Sequence, residues 1–453
     1  MKRFAALACA AAALALSSSC ASAPPKKAPP AAAEAAAPAT PAAVDAPPAA
    51  VAAFLAPYGA ATQPCRAALV KAETLSSQGK WKSAYQAMED FDKDNADPFA
   101  LAMKTSIVLR GAVRSDQNLA FALVDLEEGQ DLEALREAEG DYVPFELDPP
   151  ALAAAQASKG VASPGILSKE LGDYYYDVIG RFSGRWALSD EEILAKALEN
   201  YAKAYLSGIY DGSSLTNHAE ALVRLNRGDE SDPIYRKALE LDPKGASILY
   251  SYATSLAYRG KKAEALSQVD RAIEAYGQDG SRISAIALGA RIAAQLGDAA
   301  RLQGYYSLAD AGYPDTPTAG ILRHVVSVES GDSAAAAAAA DSLVAEYGAN
   351  PSIVRTLVST WYEAGDIEAP RAFMERNIAK GGDETNLATL YFYYAIILAQ
   401  GEPAEGDKAL ALKALDEAES RFKASIGPES DVYGAITELR AVLLAPAAGD
   451  AGN

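Results

Sequence analysis

The chain has 453 residues, half of them apolar, and its 60 Asp and Glu against 41 Lys and Arg give a formal net charge of −19. That is enough for two or three ordinary domains or one long solenoid, and the charge speaks against nucleic acid or an anionic membrane surface as the main partner. Of three cysteines, Cys9 and Cys20 lie at the extreme N-terminus, so Cys65 stands alone and no internal disulfide framework is open to the chain.

Residues 1–19 read as an export leader. Lys2 and Arg3 supply the charged start, and Phe4 to Leu16 supply an apolar stretch too short to cross a bilayer as a helix. A small-x-small site at Ala21-Ser22-Ala23 is followed directly by Pro24, which impairs ordinary signal peptidase cleavage. Ser17-Ser18-Ser19-Cys20, by contrast, resembles the lipobox of bacterial lipoproteins. It is similar to the relaxed lipoboxes of spirochaetes, since Leu16 stands four residues before the cysteine instead of three. The resemblance implies a lipid on Cys20 and a periplasm-facing place in the cell envelope. Ala21 is not a known inner-membrane retention signal, which favours the outer membrane.

From Cys20 to residue 53 the chain is almost wholly Ala and Pro, broken by Pro24-Pro25, Pro29-Pro30 and Pro47-Pro48. Such a stretch blocks continuous helix and has nothing large to bury. It is expected to be a solvated tether with a reach on the order of 100 Å, at about 3.1 Å per residue.

Residues 54–215 are expected to form an irregular N-terminal helical region. Cys65 to Pro98 reads as one helical hairpin, with Gly79-Lys80-Trp81 at its turn. Asp90 to Asp97 has the acidic spacing of a calcium loop, but Asn95 and Leu101 occupy the positions that need Gly and Glu. It is read as the acidic, solvated end of a helix. Asp116 to Glu139 is expected to be helical, Tyr142 to Pro150 to be a loop, and Leu167 to Arg181 with Asp190 to Ser207 to be a helix pair. A hinge near 140–165 is the alternative to a continuous array.

Repeats are plainest in residues 216–450. Gly260, Gly297, Gly331, Gly365 and Gly401 form one column of breakers. Pro243, Gly277, Pro314, Gly348 and Gly382 form a second, and four times the second breaker follows the first by 17 residues. The first glycine is read as ending helix A in a left-handed conformation. The Asp after it, as in Gly228-Asp229, Gly297-Asp298, Gly331-Asp332 and Gly365-Asp366, is read as capping helix B. Ala253, Gly260, Ala265 and Ala272 fall on the small-residue positions of the tetratricopeptide pattern, and Tyr235 to Pro243 looks like the end of such a repeat. The chain resembles the tetratricopeptide family over about half its length, with Leu302, Pro370 and His324 departing from the small residues expected. The resemblance implies an all-α solenoid of antiparallel helical hairpins, a tetratricopeptide-like superhelix.

Chemistry is sparse. No phosphate-cradling, nucleophile-elbow or zinc-protease motif is present, and His218 and His324 are single and far apart. No enzyme, cofactor or metal is expected. Tyr174-Tyr175-Tyr176 and Tyr391 to Tyr394 are read mainly as interhelical packing, and Ala334 to Ala340 as a close-packed helix B. In such arrays the inner wall is built by helix A. Counting from the turn glycines puts Tyr250, Tyr258, Arg291, Gln295, Arg355, Tyr362 and Tyr391 on it. Tyr and Arg are frequent binding hot spots. The expected function is an envelope-anchored scaffold that binds partner proteins or peptides in this groove. Tetratricopeptide lipoproteins serve envelope assembly, pilus biogenesis, cell-wall synthase activation and transporter complexes. The alternative is a small-ligand receptor subunit that serves a transporter.

Overall fold

The computed structural model describes residues 48–138, 140–400, 404–427, 430 and 432–444. The leader, Cys20, most of the tether and Gly401 lie outside the described residues. The described residues fall into two compact units, 48–276 and 277–444. Both are built from antiparallel helical hairpins, and none of the described helices is long and apolar enough to cross a membrane.

The first unit opens with α1, Pro48–Leu55. The spacer expected to reach residue 53 therefore gives way to helix earlier. A proline at the first helical position forfeits only an amide that has no partner there, and the Ala-rich run behind it favours helix. Phe54 then packs 5.4 Å from buried Tyr58. Next come α2, Gln63–Ser77, and α3, Trp81–Phe91, joined through Gly79 at φ 74 as the hairpin reading requires. The fourth helix, α4 (Pro98–Gly111), packs on both.

After α4 the expected helix at 116–139 is replaced by a three-stranded antiparallel sheet. It comprises β1 Ala112–Asp116, β2 Ala120–Leu123 and β3 Phe145–Glu146, in that order, and only α5, Leu132–Glu137, is helical. The cause is a tight three-residue loop, 117–119, in which Leu119 donates back to the Asp116 carbonyl at 2.9 Å. Gln117 and Asn118 both take positive φ, 48 and 54, which suits the twist of a hairpin. Tertiary contacts hold that turn: Asn118 donates to Asp177 at 2.9 Å, and Tyr174 donates to the Asn118 carbonyl at 2.7 Å. The expected loop at 142–150 also shrinks. Phe145 and Glu146 pair with β2, and Pro149-Pro150 start α6, Pro149–Ser158, which Asp148 caps at Ala151.

The array resumes with α7 (Gly165–Phe182) and α8 (Asp190–Leu206), the helix pair expected from the sequence. Helix α7 packs directly on α4, so the sheet and α6 stand where other hairpins have a second long helix. Two further hairpins follow: α9 (Gly212–Arg224) with α10 (Gly228–Leu241), and α11 (Ala246–Tyr258) with α12 (Lys262–Tyr276). In the first of these, Asn226 takes the left-handed conformation at φ 58, not Gly228. Gly228 is needed for space, because a Cβ there would lie 2.2 Å from Cδ of Arg259. Asp229 is no cap either, as the start of α10 has no side-chain cap.

The second unit runs α13 (Arg282–Leu296), α14 (Ala299–Gly312), α15 (Pro317–Glu329), α16 (Ser333–Tyr347), α17 (Pro351–Glu363), α18 (Glu368–Lys380), α19 (Glu384–Leu398), α20 (Glu405–Ser425) and α21 (Val432–Leu444). Here the turn reading holds in detail. Gly297, Gly331 and Gly365 have φ of 67, 73 and 82. The Asp after each accepts from the first amides of the next helix: Asp298 from Arg301, Asp332 from Ala335, Asp366 from Ala369. Ala336, Ala339 and Ala340 are buried, as a close-packed helix B requires. His324, where a small residue is usual, is wholly buried. Its ring nitrogens lie 3.0 Å from the Ala336 carbonyl and 3.3 Å from that of Leu357, and its edge meets Trp361.

Candidate partner-binding wall

In every full hairpin of the 216–400 region the first helix, here helix A, packs against the first helix of the next hairpin within its unit. Thus α9 meets α11 in the first unit, and α13, α15, α17 and α19 form a row in the second. Helix A carries a buried stripe on the side that meets its partners. In α17 this is Ile353, Val354, Leu357, Val358 and Trp361. What remains outside that stripe is the candidate wall.

Exposure follows register. The residue ten before each turn glycine is half-buried throughout: Tyr250, Ala287, Ile321, Arg355 and Tyr391. The residue two before it is exposed in Tyr258, Gln295, Glu329 and Glu363. In α11, α13, α15 and α17 the residue two before the glycine is thus open to solvent, whereas its counterpart after α19, Ala399, is buried.

The sequence-derived residues are not equivalent. Tyr250 and Tyr258 belong to the first unit, and Tyr258 is 76% exposed. The other five belong to the second. Arg291 and Gln295 are exposed on α13, and Arg355 is half-buried on α17. Tyr362 and Tyr391 are half-buried and pack against the hydrophobic core. Burial pushes the Tyr362 phenol up to about 12, with Glu368 adding to the shift, so it stays neutral. Tyr391 lies under the Arg421 guanidinium, 5.4 Å from ring centre to cation, so one face of the ring is taken within its own hairpin. The neighbouring Phe392, Tyr393 and Tyr394 are buried, which is the packing read from the sequence.

The acidic segment 90–97 does end α3, and Asp90 and Asp94 are exposed as expected, but it is more than a solvated end. Asp92 is buried and accepts from the amides of Ala96 and Asp97, while Asp97 caps α4. Lys104, wholly buried, reaches back from α4 into the loop. Its ammonium lies 2.6 Å from the Asp92 carbonyl, 2.8 Å from Asn95 Oδ1 and 2.6 Å from Glu89. A side-chain cation fills the centre of this loop. Among the described residues no cluster of His, Cys, Asp and Glu has the makings of a metal site.

A second polar cluster escaped the sequence reading. On α7, Lys169 pairs with Glu170 at 3.2 Å, Asp173 at 3.0 Å and Asp211 at 3.1 Å. Burial alone would lower the Lys169 pKa, but the three carboxylates outweigh it and hold the ammonium charged. Beside it, between α8 and α9, is a cavity of about 10 Å³ lined by Tyr201, Tyr205, Tyr210, Ser214 and His218, room for about one water. His218 is stacked on Tyr201, and burial, helped by Arg227, pushes it down to about 4. Such a cavity is too small for a transported metabolite.

No protein-family model and no curated protein matches the sequence. Solved structures similar to it include a tetratricopeptide repeat protein from Parabacteroides merdae, at 19% identity and TM-score 0.37, covering 61% of this chain and 99% of that one. Another is pilF of Pseudomonas aeruginosa, at 16% identity and TM-score 0.35, covering 48% of this chain and 95% of that one. Yeast Tom70 is similar at 14% identity and TM-score 0.41, covering 83% of this chain and 81% of that one. The likeness is one of fold; the hairpin assignment itself rests on the helices and turns described above.

Proposed function

We propose that the chain is an envelope-anchored scaffold, held by a lipid on Cys20, that binds partner proteins or peptides on the accessible face of its A helices. The observation that carries this reading is the register of exposure. The position two before the turn glycine stays open in α11 of the first unit and in α13, α15 and α17 of the second, so successive hairpins offer a repeated surface. Tyr258, Arg291, Gln295 and Arg355 supply large contact area and hydrogen-bond donors on that surface.

Site-specific photo-crosslinking tests it. A photoreactive amino acid at position 258 or 291 should give a discrete adduct with another envelope protein in cells. The same group at exposed position 413, on the outer helix α20, should not. Equal labelling from all three positions, or none from 258 and 291, would sink the wall as the binding surface. Fractionation tests the anchor separately, since Cys20→Ser should release the chain from membranes.

A further inference from the structure

Charge in the 277–444 unit is sorted by helix row. The A helices carry almost no acid: α13 has none, α15 only its last residue Glu329, α17 only its last residue Glu363, and α19 only its first residue Glu384. The outer helices hold the carboxylates, among them Asp310, Asp341, Glu375 and Asp416. The basic residues of the A row are Arg282, Arg291, Arg323 and Arg355. The A row thus holds four arginines against three glutamates, all three at helix ends, in a chain of net charge −19.

Most guanidiniums of the unit are already neutralised. Arg323 has Asp310 at 2.8 Å, Arg371 has Glu375, Arg376 has Asp341, Arg421 has Glu384 and Arg440 has Asp416. Arg291 and Arg355 have no ion pair or side-chain hydrogen bond among the described residues, yet both lie on the accessible face. Between them α15 presents Ile321, Val325 and Val328, all half-buried and apolar. Helix α15 packs on both α13 and α17, so the two cations stand two helix rows apart, roughly 20 Å at usual helix spacings. An extended chain covers that span in about six residues.

We infer that this wall takes an extended peptide segment of another protein that carries two acidic side chains about six residues apart with apolar residues between them. Arg291 and Arg355 make the carboxylate contacts and α15 the apolar one. The inference rests on the reading of the A-helix face as the binding surface and adds the chemical class of its partner. The chain's own ends do not fit. Residues 1–47 hold Lys2, Arg3, Lys26 and Lys27 against Glu34 and Asp45, and residues 445–453 hold the single acid Asp450. A long polyanion or an anionic membrane is repelled by the net charge, whereas a short acidic segment meets the local field within the Debye length of about 8 Å.

The test is fluorescence anisotropy on the full chain with a labelled, N-acetylated and C-amidated peptide Glu-Pro-Val-Pro-Val-Pro-Glu, its Gln counterpart and its Lys counterpart. The Glu peptide is expected to bind about tenfold more tightly than the Gln peptide, the worth of one to two charge-assisted contacts, and to weaken as salt rises. Arg291→Ala and Arg355→Ala should each weaken the Glu peptide about fivefold without affecting the Gln peptide. Lys413→Ala, an exposed lysine on α20, should change nothing. Equal binding of Glu and Gln peptides, or preference for the Lys peptide, overturns the anionic class while leaving the wall as a binding surface. Failure of every peptide also overturns the inference, and the wall then stands or falls on the crosslinking at positions 258 and 291.

Discussion

Lys104 Nζ stands 2.6 Å from the carbonyl oxygen of Asp92, at the centre of an acidic loop that its own helix does not contain. The ammonium also meets Asn95 and Glu89, and the whole side chain is buried. Lys104→Met would keep the packing volume and leave these oxygens unpaired. The 48–276 unit should lose about 2–3 kcal/mol, the cost of leaving the Asp92 carbonyl and the Asn95 oxygen buried without a donor. Glu89→Gln should cost less, about 1 kcal/mol, because the amide oxygen can still accept from the Lys104 ammonium, which also keeps its two other acceptors. Urea titrations followed by circular dichroism would show the order, and equal midpoints for the two variants would refute this account of the loop.

Gly111 closes α4 against the indole of Trp81. A Cβ at this position would lie 2.3 Å from Trp81 Cδ2 and 2.4 Å from Cε3, atoms of a rigid ring that cannot swing away at its tip. Gly111→Ala should therefore destabilise by about 2–3 kcal/mol through overpacking. Gly304 gives the opposite sign, for it lies inside α14 with open space around it. Gly304→Ala should stabilise by about 0.5–1 kcal/mol, the helix-propensity difference. Thermal melts of both variants decide it.

The hairpins from Gly297 onward were legible because a left-handed glycine and a following capping Asp recur at fixed spacing. Gly228-Asp229 marks the limit of the pattern, since there Asn226 takes the left-handed conformation. The sheet at 112–146 was not legible in the same way. Phe121, Ala122 and Leu123 are all buried, so their pattern suits helix and strand alike, and Gln117-Asn118 becomes a hairpin turn through Tyr174 and Asp177 some 60 residues away. The wall divides the same way. Tyr258, Arg291 and Gln295 are open because helical register alone puts them there. That Tyr391 is covered depends on Arg421 of another helix, and that the acidic loop is filled depends on Lys104, both beyond any local pattern.

Cys65 has no exposed surface, and its thiol is pushed up to about 12 by burial, with the nearby Asp97 carboxylate adding to it. The thiolate is the reactive species. Iodoacetamide at pH 8 should leave Cys65 unmodified in the folded chain and alkylate it once the 48–276 unit is opened by denaturant. Peptide mapping distinguishes it from Cys9 and Cys20. Labelling of Cys65 in buffer at the rate of a free thiol would contradict the packing of α2.

His218 makes the stability of the first unit depend on pH. Burial holds its folded pKa at about 4, below the ordinary histidine value of 6.5. Between those values the unfolded chain binds a proton that the folded chain refuses, so stability falls as pH drops from 6.5 towards 4. The full effect is on the order of 3 kcal/mol. Glu170 acts in the opposite sense, because burial raises its folded pKa and the folded state then takes up the proton more readily as pH falls. The difference between wild type and His218→Phe isolates the histidine, since a phenyl ring can keep the stack on Tyr201. Denaturant midpoints at pH 7.5 and 4.5 should draw apart in the wild type and move closer together in the variant. An unchanged pH dependence in the variant would show that His218 is protonated in the fold.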